Sequence, residues 1–173
     1  MATVQSVAWS PDGTRLLVTG HPEDGGGIGG PQDFGIYSFS IDGSDVVQVT
    51  HTLEYEHFAS WSPDGSMILF TRSPEFDDAD YPSDVWVMNG DGSDQRQLTD
   101  WRGFDSFPVW SPDGSSIAFT SDRDATQQEQ AAFERGDAFS GLSVFIMRAD
   151  GSDLRRLLAA GEGEALLPAS WKA

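Results

Sequence analysis

Trp-Ser-Pro-Asp-Gly occurs three times in the chain, at Trp9–Gly13, Trp61–Gly65 and Trp110–Gly114. A second phrase, Asp-Gly-Ser-Asp, follows each copy, at Asp42–Asp45, Asp91–Asp94 and Asp150–Asp153. The repeated tryptophans are roughly 50 to 60 residues apart, a period that is typical of propellers and solenoids. A fourth start, Ala169-Ser170-Trp171, stands close to the end of the sequence. The chain is therefore predicted to be a repeat protein.

Each repeat predicts four short strands, and the second repeat illustrates the pattern. His57–Ser62 is the first strand, and the Ser-Pro-Asp-Gly turn that follows needs a residue such as Gly65 that accepts a positive φ. The apolar run Met67–Thr71 predicts a strand buried on both faces. Asp84–Asn89 and Gln95–Thr99 complete the set, joined by a hairpin at Asp-Gly. Four strands at this period make one propeller blade.

The whole chain, residues 1–173, is predicted to be a single all-β propeller domain with three four-stranded blades. The blades cover about residues 3–50, 55–99 and 105–158, and residues 166–173 begin a further blade. The repeated tryptophan is predicted to pack between blades, because it is a large apolar group at a fixed strand end.

The number of blades predicts an assembly. Single-chain propellers usually have about four to eight blades, so three blades leave two apolar blade faces open. A two-fold homodimer that closes one six-bladed ring is the predicted solution. The rival interpretation is a segment of a longer propeller, because residues 166–173 would compete with the first strand of a second copy.

The charge and composition limit the function. Ten basic residues against 28 acidic ones give a formal net charge of −18, which argues against binding to nucleic acid or to an anionic membrane surface. The charge fits a cation or a basic partner, and equally a surface kept soluble by self-repulsion. The absence of cysteine excludes disulfides. No apolar run approaches the roughly 18 residues of a membrane span, and the first residues show no signal peptide.

The sequence resembles the TolB-type β-propeller repeat over nearly its whole length. Phe107–Arg123 and Val144–Arg156 carry the resemblance, because they follow the family's pattern of Pro-x-Trp-Ser-Pro-Asp-Gly, Ile-Ala-Phe-Thr-Ser-Asp-Arg and Ala-Asp-Gly-Ser. The resemblance implies a propeller fold that hosts periplasmic scaffolds, peptidase-gating domains and some lyases. It also implies a periplasmic or extracytoplasmic location. In this family's Ser-Asp-Arg loop, matched here by Asp122 and Arg123, the arginine braces a turn against nearby carboxylates.

Long irregular segments are predicted to gather on one face, which we call the loop face. The segments between second and third strands, His21–Gly35, Pro74–Ser83 and Asp122–Gly141, lie on the same face as the links His51–Glu56 and Asp100–Ser106. Loops of this kind carry binding sites in many folds. The third segment also predicts a short helix, Ala125–Arg135, with Asp124 as its N-cap.

The candidate site lies at the mouth of the central channel. The residues five positions before each repeat tryptophan are Val4, Glu56, Asp105 and Leu166. Glu56 and Asp105 are predicted to bind Ca²⁺, a hard cation that takes oxygen ligands, and His57 adjoins the first of them. The alternative is that each carboxylate caps a loop amide or pairs with an arginine, either Arg102 or Arg123. The predicted binding set is Glu56, His57, Arg102, Asp105, Asp122 and Arg123.

The predicted function is that of a non-catalytic scaffold that recognises a protein or peptide of basic character through its acidic loop face. No catalytic residue is assigned, since no Gly-x-Ser-x-Gly nucleophile motif is present. One alternative is a metal-dependent lyase or hydrolase that uses His21, His51 or His57 with nearby carboxylates. Another alternative is a fragment of a peptidase's gating propeller. Apart from Ca²⁺, no cofactor is predicted.

Overall fold

The computed structural model describes residues 3–21, 35–74, 82–127 and 141–159. These residues form three separate four-stranded antiparallel sheets, each a meander in chain order. Blade 1 contains β1 (Thr3–Trp9), β2 (Arg15–His21), β3 (Gly35–Ser40) and β4 (Val46–Gln48). Blade 2 contains β5 (Tyr55–Trp61), β6 (Met67–Ser73), β7 (Asp84–Asn89) and β8 (Arg96–Gln97). Blade 3 contains β9 (Asp105–Trp110), β10 (Ser116–Ser121), β11 (Ser143–Arg148) and β12 (Arg155–Leu158).

The predicted set of three four-stranded blades is confirmed by these sheets. The bounds differ slightly from the prediction: β5 begins at Tyr55, and β8 is only two residues long. Most of the predicted helix Ala125–Arg135 and all of the predicted blade start at 166–173 lie outside the described residues. Within the described ranges, no helix is long and apolar enough to cross a membrane.

The Ser-Pro-Asp-Gly phrase forms the same turn in every blade. The amide of the glycine donates to the carbonyl oxygen of the serine at 2.9 Å in all three copies. The φ angles of Gly65 and Gly114 are +74° and +71°, so the predicted positive values are confirmed. The aspartate accepts hydrogen bonds from the serine before it and from the residue two places after it, as Asp64 does from Ser62 at 2.6 Å and from the Ser66 amide at 3.0 Å. Short-range chemistry therefore determines the turn.

Replacing Gly114 with valine is expected to destabilise the fold by more than about 1 kcal/mol, because a β-branched side chain is strained at positive φ. An added Cβ would lie 3.5 Å from the Pro63 ring, which is an ordinary contact, so the cost arises from the backbone rather than from a clash. Urea unfolding at fixed protein concentration measures the difference. A neutral substitution would contradict this interpretation of the turn.

The same turns predict a loss of stability in acid. Hydrogen bonds from Ser62 and Ser66 lower the pKa of Asp64 to about 2, and those from Ser111 and Ser115 lower the pKa of Asp113 to about 2. A carboxylate with a depressed pKa in the folded state contributes stability above its unfolded pKa and loses it as the pH falls through the folded value. The free energy of unfolding is therefore expected to fall between about pH 4 and pH 2.

Urea unfolding as a function of pH checks this expectation, with Asp113→Asn as the test variant. Asparagine keeps the side-chain oxygen that accepts the turn's hydrogen bonds but has no charge to titrate. The variant should therefore lose less stability than the parent protein over the same pH interval. Equal losses in the two proteins would contradict the assignment.

The core of the protein lies between neighbouring blades. One cluster joins blade 1 to blade 2 and is formed by Leu17, Ile36, Val49, Ala59, Ile68, Phe70 and Met88. The second joins blade 2 to blade 3 and is formed by Leu69, Val85, Val87, Trp110, Ile117, Phe119, Phe145 and Met147. Trp61 packs against the first cluster and Trp110 belongs to the second, as the repeat predicted. Trp9 differs, because its side chain is 63% exposed.

Candidate functional site

The first strand of each blade contains a bulge. The register of each first strand against the second shifts by one residue, and in blades 2 and 3 the shift falls around Phe58 and Phe107. These two residues occupy the same repeat position, three before the tryptophan, and have φ angles of +55° and +53°. A left-handed backbone is unusual for a bulky side chain. The two phenylalanine rings lie 4.3 Å apart between centroids.

A groove of about 570 Å³ runs along the first strands of the three blades, and we call it the channel groove. Phe58 and Phe107 line it together with Trp61 and Trp110, and Pro11, Pro63 and Pro112 lie at its turn end. Most of the lining is apolar or aromatic, as in sites that bind apolar groups. The bulges matter for this surface because an extra residue in a strand redirects the side chains beside it.

Glu56 lies at the loop-face end of β5 and is completely buried. Its carboxylate accepts a hydrogen bond from Arg72 Nη2 at 2.6 Å and from the Thr50 hydroxyl at 2.7 Å. The guanidinium of Arg72 also lies over the ring of Trp86, 4.5 Å from its centroid. Arg72 stands directly opposite Glu56 in the β5–β6 register. Glu56 therefore belongs to a buried ion pair at the joint between blades 1 and 2.

Asp105 occupies the equivalent position at the joint between blades 2 and 3 and is also completely buried. Arg123 donates to it from Nη2 at 2.5 Å and from Nε at 3.2 Å. Burial raises the pKa of Asp105, although the hydrogen bonds and charge of Arg123 act in the opposite direction. The Ser83 hydroxyl of blade 2 donates to the Asp105 carbonyl oxygen at 3.1 Å. The pairing of Asp105 with Arg123 agrees with the turn-bracing role that the sequence resemblance implied.

Two other predicted site residues, Asp122 and Arg102, lie outside these ion pairs. Asp122 braces the link between blades 2 and 3, where it accepts hydrogen bonds from Trp101 Nε1 at 2.7 Å and from the Phe104 amide at 2.9 Å. Arg102 is exposed, and its guanidinium lies 5.6 Å from the ring centroid of Trp101. The arginine partners of Glu56 and Asp105 are Arg72 and Arg123, so the alternative of an arginine pair involves Arg123 and not Arg102.

His57 contacts the residue at the same repeat position in blade 1, which is Gln5. Its Nδ1 forms a hydrogen bond with the side chain of Gln5, and its ring stacks on Tyr55 at a centroid distance of 6.3 Å. Burial lowers the pKa of His57 below its ordinary value, so the ring is neutral at pH 7. His51 is exposed on the link between blades 1 and 2, and the side chain of His21 lies outside the described part.

The predicted Ca²⁺ site at Glu56 and Asp105 stays a prediction. Each carboxylate is held by an arginine, which competes for the oxygen atoms that a cation would need. Among the residues that the structure describes, no group of three or more His, Asp or Glu side chains is arranged to hold a metal ion. The described residues therefore supply two separate ion pairs, one at the start of β5 and one at the start of β9.

Sequence reasoning missed Arg72, Phe58 and Phe107. A signal for Arg72 existed, because pairing β5 with β6 as a hairpin places this residue opposite Glu56. A signal for the two phenylalanines also existed, since both stand three residues before a repeat tryptophan. Their left-handed backbone had no such signal, because a bulge depends on the pairing of two strands.

Comparison with solved structures finds β-propellers. A protein from Agrobacterium tumefaciens assigned as a TolB superposes with a TM-score of 0.64 at 26% identity, over 95% of this chain and 52% of the other. TolB from Acinetobacter baumannii gives a TM-score of 0.63 at 21% identity, over 92% and 33% of the two chains. An oligogalacturonate lyase in complex with manganese gives 0.62 at 14% identity, over 96% and 44%. No family model and no curated protein sequence matches the chain.

The fold and these likenesses define the class: the chain is an all-β protein built of TolB-like propeller repeats, as its motifs predicted. It spans about half the length of the Agrobacterium protein and a third of the Acinetobacter one. The same fold occurs in TolB and in a lyase, so the repeat alone does not determine a function.

Proposed function

We propose that the protein is a non-catalytic recognition scaffold that binds a protein segment or peptide of basic character. The observation that carries this proposal is the pair of Phe58 and Phe107, held on left-handed backbone with their rings 4.3 Å apart in the channel groove. Unfavourable backbone geometry of this kind is concentrated at ligand sites. Partly exposed aromatic rings in an apolar groove are suited to packing against an apolar or aromatic side chain of a partner.

The charge of the protein supports a basic partner. The chain has a net charge of −18. Exposed Asp12, Asp64 and Asp113 follow the prolines at the turn end of the groove, and hydrogen bonds lower the pKa of each, so they are anionic at neutral pH. A negative field around a binding surface accelerates the approach of a cationic partner, and salt screens this effect. The ligand is therefore expected to combine an apolar anchor with lysine or arginine.

The buried carboxylates support a scaffold rather than a catalyst. A general acid or base must reach the proton that it transfers. Glu56 and Asp105 have no exposed surface and are occupied by Arg72 and Arg123. Each pair lies within one blade, beside the joint with the preceding blade, and Glu56 also accepts a hydrogen bond from Thr50 across that joint. The likeness to oligogalacturonate lyase at 14% identity is a likeness of fold and assigns none of these residues a catalytic role.

Fluorescence anisotropy with labelled peptides tests the proposal. The probes are short peptides with one central tryptophan, flanked by lysines in one set and by glutamates in the other. The lysine peptide is expected to bind at least about 10-fold more tightly at low salt, and its affinity should fall as salt is added. Equal binding of both peptides, or none of either, would overturn the proposal.

Substitution of both phenylalanines by serine provides the matched variant, because blade 1 has Ser6 at the same repeat position. Phe58→Ser with Phe107→Ser is expected to weaken binding of the lysine peptide by about 10-fold or more, since each aromatic contact contributes about 1 kcal/mol. Phe39→Ser is the control, because Phe39 is partly buried in β3 and does not line the channel groove. Unchanged binding by the double variant would mean that the peptide does not bind in the channel groove.

The Ca²⁺ site and the extracytoplasmic location remain proposals. Ca²⁺ would bind Glu56 and Asp105 only by displacing their arginines, and a rise in melting temperature when Ca²⁺ is added to chelator-treated protein would support it. Glu56→Gln with Asp105→Asn should abolish that rise. An extracytoplasmic location rests on the TolB resemblance.

A further inference from the structure

The two joints between blades are built from the same contacts. In each joint the preceding blade contributes the proline of its turn, and the following blade contributes the glycine of its own turn. A Cβ added to Gly65 would lie 3.7 Å from Pro11, and one added to Gly114 would lie 3.5 Å from Pro63. The hairpin glycines behave in the same way: an added Cβ at Gly92 would lie 2.4 Å from the Val49 carbonyl oxygen. Each joint is therefore formed by two different surfaces, one from the preceding blade and one from the following blade.

Blade 1 presents the surface of a following blade, and the described residues supply no preceding blade to cover it. Gly13 and Gly43 have the same positive φ as their equivalents, but a Cβ on either would meet no atom of the described part of the chain within 4 Å. Trp9 is 63% exposed, whereas Trp110 at the same repeat position is 9% exposed. Val4 and Val7 are also exposed on this blade. We call this surface the open face of blade 1.

Blade 3 has the preceding half of the joint. Pro112 stands at the turn position that Pro11 and Pro63 occupy in the internal joints. Leu157 is 51% exposed, whereas Val49 at the same repeat position in blade 1 is 8% exposed. Leu158 is exposed beside it. Blade 3 therefore presents the kind of surface that covers the following blade at each internal joint.

The polar pair of the internal joints is replaced by apolar residues on both of these surfaces. At the first internal joint the Thr50 hydroxyl donates to Glu56 at 2.7 Å. Val4 stands at the repeat position of Glu56, and Leu158 stands at that of Thr50. A joint between the two surfaces would therefore leave no unpaired carboxylate or hydroxyl at this point, which burial would otherwise penalise.

From these contacts we infer that the open face of blade 1 is covered by blade 3 of a second copy of this chain. The arrangement repeats twice in a two-fold dimer, so it closes a ring of six blades and removes both open faces. The chain superposes on 52% of the Agrobacterium protein, so two copies match the length of that single propeller chain. Ring closure also completes the wall of the channel that the three blades line in part.

Light scattering over a range of protein concentrations is the first test. The expected mass is about twice the chain mass of 18.8 kDa. A monomer at concentrations up to about 100 μM would overturn the inference, and it is the result expected of a segment of a longer propeller. Oligomers that grow with concentration would overturn it as well, because they would mean that the joint does not close.

Charged substitutions on the two surfaces locate the contact. Trp9→Asp and Leu157→Asp are each expected to give monomers, because either change buries a carboxylate without a partner in the joint. Leu53→Asp is the matched control, since Leu53 is 69% exposed on the link between blades 1 and 2. The control should stay dimeric, and far-UV circular dichroism checks that all three variants are folded. A dimer that survives both surface substitutions would overturn the inference.

Cysteine cross-linking gives a readout that does not depend on disruption, because the chain has no cysteine of its own. Pro63→Cys with Gly114→Cys is the matched pair at an internal joint and should form a disulfide within one chain, since the two residues are in contact: a Cβ on Gly114 would lie 3.5 Å from Cδ of the Pro63 ring. Gly13→Cys with Pro112→Cys, at the equivalent positions of the proposed joint, should form disulfides between two chains. An internal pair that closes while the second pair yields only uncross-linked chains would overturn the inference.

Discussion

Replacing Arg72 with methionine is expected to lower the free energy of unfolding by about 3–5 kcal/mol, because it leaves a buried carboxylate without its partner. Glu56 has no exposed surface, and Arg72 donates to it at 2.6 Å. Methionine keeps part of the length and apolar volume of the arginine stem, so packing against Trp86 is lost only in part. Urea unfolding at fixed protein concentration measures the effect.

Two controls separate the buried charge from the loss of any ion pair. Arg148→Met removes the pair with Asp153, whose side chains are 67% and 68% exposed, and such surface pairs contribute about 0–1 kcal/mol. Adding Glu56→Gln to Arg72→Met removes the unpaired charge and should restore part of the lost stability. If Arg72→Met cost no more than Arg148→Met, the buried pair would not be a principal source of stability.

Replacing Gly92 with alanine is expected to destabilise the fold by about 2–5 kcal/mol, because two costs combine. Gly92 has a φ of +88°, which strains any residue with a Cβ. The added Cβ would also lie 2.4 Å from the Val49 carbonyl oxygen, so the backbone of blade 1 or blade 2 must move. Val49 directly follows the outer strand β4 of the preceding blade, and the substitution therefore acts on the joint itself.

Gly13→Ala is the matched control for Gly92→Ala. Its φ is +70°, and an added Cβ would meet no atom within 4 Å in the described part of the chain. The control therefore has the backbone strain without the clash, and its cost is expected to be about 1–2 kcal/mol. Equal costs for the two substitutions would mean that the blades adjust to the added methyl group without strain.

The fold was largely predictable because its signals are local. A Ser-Pro-Asp-Gly turn needs only four consecutive residues, and the aspartate of each turn binds groups no more than two residues away. The apolar run Met67–Thr71 and the Asp-Gly hairpin after Asn89 are equally local. Repetition of these signals in three copies then determined the number of sheets. The exposed Trp9 was the departure, because burial of that position requires a blade on its other side.

The candidate site was predictable in position but not in chemistry. Counting from the tryptophans placed Glu56 and Asp105 at equivalent points, and both are buried beside an arginine. The sequence left a cation and an arginine open as partners, since either can neutralise a carboxylate. The arginine that reaches each carboxylate depends on how the first and second strands of the blade are paired. Arg72 lies directly opposite Glu56. Arg123 lies two residues beyond Ser121, which is the residue opposite Asp105.

The sequence by itself determined the turns, the strands and the repeat, because each follows from the conformational preferences of a few neighbouring residues. Only the tertiary structure decided that Glu56 and Arg72 form a buried pair, that Phe58 and Phe107 share the channel groove, and that a Cβ on Gly13 or Gly43 would meet no described residue within 4 Å. The first depends on strand register, and the others depend on one blade packing against the next. These contacts join residues far apart in the chain, so no short segment encodes them alone.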